Sequence, residues 1–182
     1  MTDKQIIALL DNFPTNTSRL VNKESYFWVV YENLKAASHF LEIGYRKGVF
    51  VEVCKALGIK SVHLDISDQL LRAKPTDTNR CMTINSLDYL KECDEQFDLI
   101  FQDGCKKFKT RIKEYDYIVS KNILSPGGKI IVDDLHYSDC QKAFDMVIKK
   151  YGYQHKIFQC RDKQNYPVGL LWPPASESND AK

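Results

Sequence analysis

The sequence predicts one α/β domain with seven strands, mostly parallel, helices on both faces and an antiparallel last strand. Three observations carry this. Short apolar runs alternate with amphipathic stretches along the chain, which is the pattern of repeated βαβ units. The run His39-Phe40-Leu41-Glu42-Ile43 enters the turn Gly44-Tyr45-Arg46-Lys47-Gly48, after which Val49, Val53, Ala56 and Leu57 recur at helical spacing until Gly58. A second apolar run, Phe97 to Phe101, ends in Gln102-Asp103-Gly104, and a third, Lys129 to Val132, ends in Asp133-Asp134.

The elements follow in order. Ile6, Ile7, Leu9 and Leu10 give an amphipathic helix over Lys4 to Asn12, which Phe13-Pro14 and the polar Thr15-Asn16-Thr17-Ser18 end. A second helix is expected from about Lys23 to Ala37, with Tyr26, Val29, Val30, Asn33 and Leu34 at helical spacing. Its rings Tyr26, Phe27, Trp28 and Tyr31 pack against the sheet or roof a substrate pocket, and would be a dimer face if exposed. Lys60 to Asp65 is the second strand. Asp68 to Ala73 is expected as a short helix broken by Lys74-Pro75. Arg80 to Ile84 is the third strand, and Asn85-Ser86-Leu87-Asp88 opens another short helix. Lys107 to Ile123 is helical through Phe108, Ile112, Tyr115, Ile118 and Val119. Leu124-Ser125-Pro126-Gly127-Gly128 reads as a turn. Ser138 to Tyr151 is the last helix. Tyr153 to Cys160 and Val168 to Trp172 form a closing pair of strands around Asp162-Lys163-Gln164-Asn165. Residues 1–37 are expected to be helices packed on the core, 38–172 the main domain, and 173–182 a polar flexible tail.

Composition bounds the function. The chain has 182 residues, 43% hydrophobic, enough for one full core. Its 26 basic and 24 acidic residues are mixed along the chain, so nucleic acid is not indicated as the primary ligand. No stretch has membrane-spanning length, and the N-terminus lacks the pattern of a signal peptide. The six cysteines, at 54, 81, 93, 105, 140 and 160, show no Cys-x-x-Cys pair. They read as reduced thiols of a cytoplasmic protein.

The acids at the strand ends carry the chemistry. In open α/β sheets, ligands bind outside the carboxyl ends of the strands, so Asp103, Asp133 and Asp134 should converge on one crevice beside the glycine turn. Clustered carboxylates repel one another unless a cation neutralises them, and a hard ion such as Mg²⁺ suits oxygen ligands. The bland alternatives are a turn cap for Asp133-Asp134 and a solvated lysine run for Lys106, Lys107 and Lys109. Glu42, at the end of the first strand, would repel a pyrophosphate but could receive an ammonium group. Asp65, about twenty residues past the turn, stands where an acid meets ribose hydroxyls, or else Ser67 or Asp68 merely caps a helix there. His136 is an alternative base or ligand, while His39, His63 and His155 look structural.

Glu42-x-Gly44-x-x-x-Gly48, the Asp-Gly after the fourth strand and the Pro-Gly-Gly turn before the fifth together resemble class I S-adenosylmethionine-dependent methyltransferases, whose fold is Rossmann-like. Asp103-x-x-Lys106 followed by an acid pair resembles the small metal-dependent O-methyltransferases, of the catechol and macrocin type. The resemblance covers Phe40 to Trp172. It implies that Gly44, Tyr45 and Gly48 wrap the methionine end of the cofactor with Glu42 nearby, that Asp65 binds the ribose, and that Asn85 and Ser86 touch the adenine. It further implies that Asp103, Asp133 and Asp134 hold a divalent cation such as Mg²⁺, with Asp134 replacing the family's asparagine. Lys106 would help remove the proton of a small-molecule hydroxyl. Two competitors stand beside this reading. One is methylation of RNA or protein through a basic face of Lys106, Lys107, Lys109, Arg111 and Lys113. The other is a non-catalytic binding module, suggested by Arg46 where a dinucleotide fingerprint has glycine.

Overall fold

A computed structural model describes residues 1–14, 17, 20–160 and 166–174. Seven strands form one sheet in the order β3-β2-β1-β4-β5-β7-β6. They are β1 (His39–Ile43), β2 (Lys60–Asp65), β3 (Asn79–Thr83), β4 (Phe97–Gln102), β5 (Leu124–Val132), β6 (Gln154–Gln159) and β7 (Pro167–Trp172). The first five pair in parallel, and β7 runs antiparallel to both β5 and β6.

Alternation along the strands sorts the core into two layers. Leu41, Ile43, Val62, Leu64, Ile100 and Val132 face one side. They pack there with Leu90 of α4 (Ser86–Glu92), Tyr115 and Ile118 of α5 (Phe108–Ser120), and Phe144 and Val147 of α6 (Ser138–Tyr151). Phe40, Leu99, Phe101, Ile131 and Val168 face the other. That side is covered by Ile6 and Leu10 of α1 (Asp3–Asn12), Phe27 and Tyr31 of α2 (Tyr26–Leu34), and Phe50 and Val53 of α3 (Val49–Leu57). Phe27 stacks between Tyr31 and Phe50, so the aromatic rings of α2 belong to the core. Phe27, Trp28 and Tyr31 are buried within the chain. None of the described helices is long and apolar enough to cross a membrane.

Several local expectations change. Ile66 to Thr78 contains no helix: the residues before Lys74-Pro75 are too few to offset helix nucleation, Leu71 and Ala73 pack beside Val51 without one, and the segment runs as turns and bends to β3. The Ser125-Pro126-Gly127-Gly128 turn lies inside β5 as an irregularity, since the register passes from Phe97↔Leu124 to Leu99↔Lys129. The expected loop at Asp162 to Asn165 and most of the tail fall outside the described residues.

Candidate active site

The strand order reverses between β1 and β4, because the chain leaves β1 toward β2 and returns through β4 toward β5. That reversal opens a crevice at the carboxyl ends of the strands. The backbone defines it first. Gly44 has φ +95°, and a β-carbon there would lie 2.5 Å from the carbonyl oxygen of Asp103. Only glycine lets the exits of β1 and β4 approach this closely. Gly44 N–H donates to the Leu64 carbonyl at 2.7 Å, and Gly48, at φ +81°, caps α3. Arg46 also takes a positive φ, of 49°, and its backbone N–H donates to Asp65 Oδ2 at 2.9 Å. Asp65 Oδ1 accepts from Ser67 N–H at 3.3 Å. Asp65 therefore ties the glycine turn to the end of β2, and each carboxylate oxygen keeps acceptor capacity for a ligand. Tyr45 is buried within this turn.

Glu42 points into the layer beneath the turn. Its Oε2 lies 2.6 Å from Nδ1 of His63, the residue paired with it on β2, and His63 Nε2 lies 2.7 Å from Ser61 Oγ. Asn79 Nδ2 also donates to that hydroxyl, at 2.9 Å. Burial, with a smaller contribution from Asp65, raises the Glu42 carboxyl well above its ordinary range. Burial likewise lowers His63 to about 3. Both shifts run toward the uncharged form, and the three side chains form one buried hydrogen-bonded row from Glu42 through His63 to Ser61. Glu42 is thus a buried hydrogen-bonding partner of His63 rather than a solvated carboxylate.

Across the crevice, Asn85 caps α4 by accepting from Leu87 N–H at 2.9 Å, and the Ser86 hydroxyl donates to Glu114 Oε1 on α5. Asp103, Asp133 and Asp134 each offer an oxygen within 4.8 Å of the others. That spread suits a hard cation with metal–oxygen distances of about 2.1–2.5 Å. Asp134 sits at φ +65°, a left-handed conformation that turns its carboxylate back toward the strand ends, and its N–H donates to Asp133 Oδ1 at 2.7 Å. Burial first, then the charges of Asp133 and Asp134, hold Asp103 well above the usual carboxylate range. Burial and Asp134 push Asp133 up to about 6. Lys106 Nζ lies 2.8 Å from Asp134 Oδ2 and 4.3 Å from the centre of the Tyr137 ring. Burial would lower the Lys106 pKa, but pairing with Asp134 outweighs it and the net shift is upward. His136 Nδ1 is 3.9 Å from Asp134 Oδ1, and its ring stacks on Tyr166 at 3.8 Å.

One set of residues escaped the sequence reading. Arg111, assigned there to a basic surface, is fully buried, as is Glu114, while Gln102 is 1% exposed. Arg111 Nε donates to the Cys105 carbonyl at 2.9 Å, and Nη1 donates to Gln102 Oε1 at 3.3 Å and to the Asp133 carbonyl at 3.2 Å. Gln102 Nε2 in turn donates to Glu114 Oε2. Two signals were present. Gln102 is polar at the end of an otherwise apolar strand, and Arg111 and Glu114 share the helical phase of Tyr115 and Ile118. The basic face loses Arg111, which weakens the case for a polyanionic substrate.

No protein-family model and no curated protein matches the chain by sequence. Solved structures do match by fold. TomG, an O-methyltransferase from Streptomyces achromogenes solved in complex with SAM, is 14% identical, with 96% of this chain and 92% of that one covered at a TM-score of 0.64. An O-methyltransferase from Bacillus cereus in complex with SAH is 18% identical, covering 93% and 88% at a TM-score of 0.62. The N-methyltransferase NodS from Bradyrhizobium japonicum is 15% identical, covering 87% and 98% at a TM-score of 0.65. The chain thus has the Rossmann-like fold of these methyltransferases, with the antiparallel β7 that the sequence led us to expect. Because NodS is an N-methyltransferase, this fold alone does not define the acceptor atom.

Proposed function

We propose that the protein is an S-adenosylmethionine-dependent methyltransferase that methylates a hydroxyl of a small molecule with the help of a divalent cation. The observation that carries the reading is the convergence, at the strand-order reversal, of the Gly44 to Gly48 turn, Asp65 and the Asp103-Asp133-Asp134 cluster. The shared fold with TomG, solved with SAM, and with the SAH-bound Bacillus cereus enzyme supports it.

In this reading the left-handed turn and the N-terminus of α3 receive the methionine end of the cofactor, with Glu42 nearby. Asp65 binds the ribose hydroxyls, and Asn85 and Ser86 flank the adenine. The three aspartates hold the cation, whose chemistry when bound is to lower the pKa of a coordinated hydroxyl. Lys106 stands at the mouth, where the substrate proton must leave. Its pairing with Asp134 keeps it an ammonium, so it must first release its own proton to solvent before it can take one from the substrate hydroxyl. The stacked His136 and Tyr166 bring aromatic surface beside Asp134 and the acid cluster.

Calorimetric titration of S-adenosylmethionine and S-adenosylhomocysteine into the wild type, with and without Mg²⁺, tests the reading. Saturable binding is expected, followed by methyl transfer to hydroxylated aromatic compounds. Absence of binding under all conditions refutes it.

A further inference from the structure

The buried Arg111 is not used by that mechanism, yet it meets both strands that carry the acids. Its three hydrogen bonds run to the end of β4 (Gln102 Oε1), to the loop after Asp103 (Cys105 O) and to the end of β5 (Asp133 O). Burying a guanidinium is unfavourable unless charge and hydrogen bonds compensate. Nη2 is buried and has no hydrogen-bond partner among the described residues, so hydrogen bonding alone does not account for Arg111. Charge does. The groups that face it electrostatically are Asp103 and Asp133 of the crevice, Glu114 on its own helix, and Tyr115 and Cys140.

We infer that Arg111 is a positioning residue, whose guanidinium clamps the ends of β4 and β5 and supplies the fixed positive charge that gathers Asp103 and Asp133 into one crevice. Lys106 plays the complementary part at the solvent side, against Asp134. The cluster therefore has cations of the protein's own on two sides of it. The effect on catalysis rests on the methyltransferase reading; the assembly of the crevice does not.

A rescue experiment in EDTA at pH 8 separates this role from simple packing. Thermal unfolding is measured for the wild type, Arg111→Met and Arg111→Lys, and for Arg111→Met combined in turn with Asp103→Asn, Asp133→Asn and Glu114→Gln. Arg111→Met is expected to lower Tm by at least about 5 °C. Adding Asp103→Asn or Asp133→Asn should recover half or more of that loss, and Arg111→Lys should lose less than Arg111→Met. Losses that simply add, or rescue by Glu114→Gln alone, overturn the inference. If Arg111→Met yields no soluble protein, soluble yield is read instead: recovery with either Asp→Asn change supports the inference, and no recovery overturns it. S-adenosylhomocysteine binding by the wild type is measured in parallel. Its absence would sink the methyltransferase reading while leaving the outcome of the rescue experiment intact.

Discussion

The closest backbone approach in the crevice lends itself to a controlled perturbation, Gly44→Ala against Gly58→Ala. Both glycines take positive φ, +95° and +71°, so alanine at either position meets the cost of a left-handed L-residue, about 1–2 kcal/mol. Both changes also reduce the freedom of the unfolded chain alike, which cancels in the comparison. They differ in what the new methyl meets. At Gly58 nothing lies within 4 Å. At Gly44 it would sit 2.5 Å from the Asp103 carbonyl oxygen, 2.7 Å from its carbon and 2.9 Å from Gly104 Cα, all backbone. Such overlap cannot be relieved by rotating a side chain, and overpacking of this kind costs roughly a further 1–3 kcal/mol. For a chain of this size, 1 kcal/mol corresponds to about 2–4 °C in Tm. Gly58→Ala should therefore lower Tm by about 2–8 °C and Gly44→Ala by about 4–20 °C. Only the latter should weaken S-adenosylhomocysteine binding, by tenfold or more, since it displaces Asp103 from the glycine turn. Differential scanning calorimetry and isothermal titration provide both readings. Equal Tm losses, or unchanged binding in Gly44→Ala, would refute the argument that the β1–β4 contact shapes the site.

Three further outcomes are expected. Asp65→Ala should weaken S-adenosylhomocysteine binding by about 10–100-fold, the worth of one or two hydrogen bonds to a charged group, as read by calorimetry; an unaltered Kd would remove Asp65 from the cofactor site. Lys106→Met should reduce turnover by about 10²–10⁴-fold while cofactor affinity stays within about threefold, and a wild-type rate would exclude Lys106 as the proton acceptor. Between its unfolded pKa of 6.5 and its folded value of about 3, His63 binds more protons when unfolded, so it causes stability to be lost as pH falls through that window. His63→Gln does not titrate, and urea unfolding from pH 7 to 4 should show a shallower decline than in the wild type; an identical slope would place the acid sensitivity elsewhere.

Much of the fold was legible because βαβ units write themselves locally. The apolar runs of β1, β4 and β5, the glycine turn and the amphipathic stripes of α3, α5 and α6 each signal their state within a window of about a dozen residues. The acid cluster was legible for a related reason: Asp103, Asp133 and Asp134 stand at strand ends, and parallel strands bring their carboxyl ends to one edge. The segment from Asp68 to Ala73 was misread because six residues before Lys74-Pro75 are too few to offset helix nucleation, and Leu71 and Ala73 reach the core beside Val51 without a helix.

What the sequence by itself determined was therefore the order of strands and helices and the edge at which chemistry-bearing residues gather. The tertiary structure decided their electrical state. Glu42 looks like a solvated charge in the sequence, but in the fold burial beside His63 removes the water that would stabilise its carboxylate and pushes its pKa up. Arg111 looks like surface and is the core's fixed cation, because α5 packs it against the ends of β4 and β5. Ionisation and partnership depend on desolvation and on neighbours distant in the chain, such as His63 for Glu42 and Asp133 for Arg111, and no local window contains them.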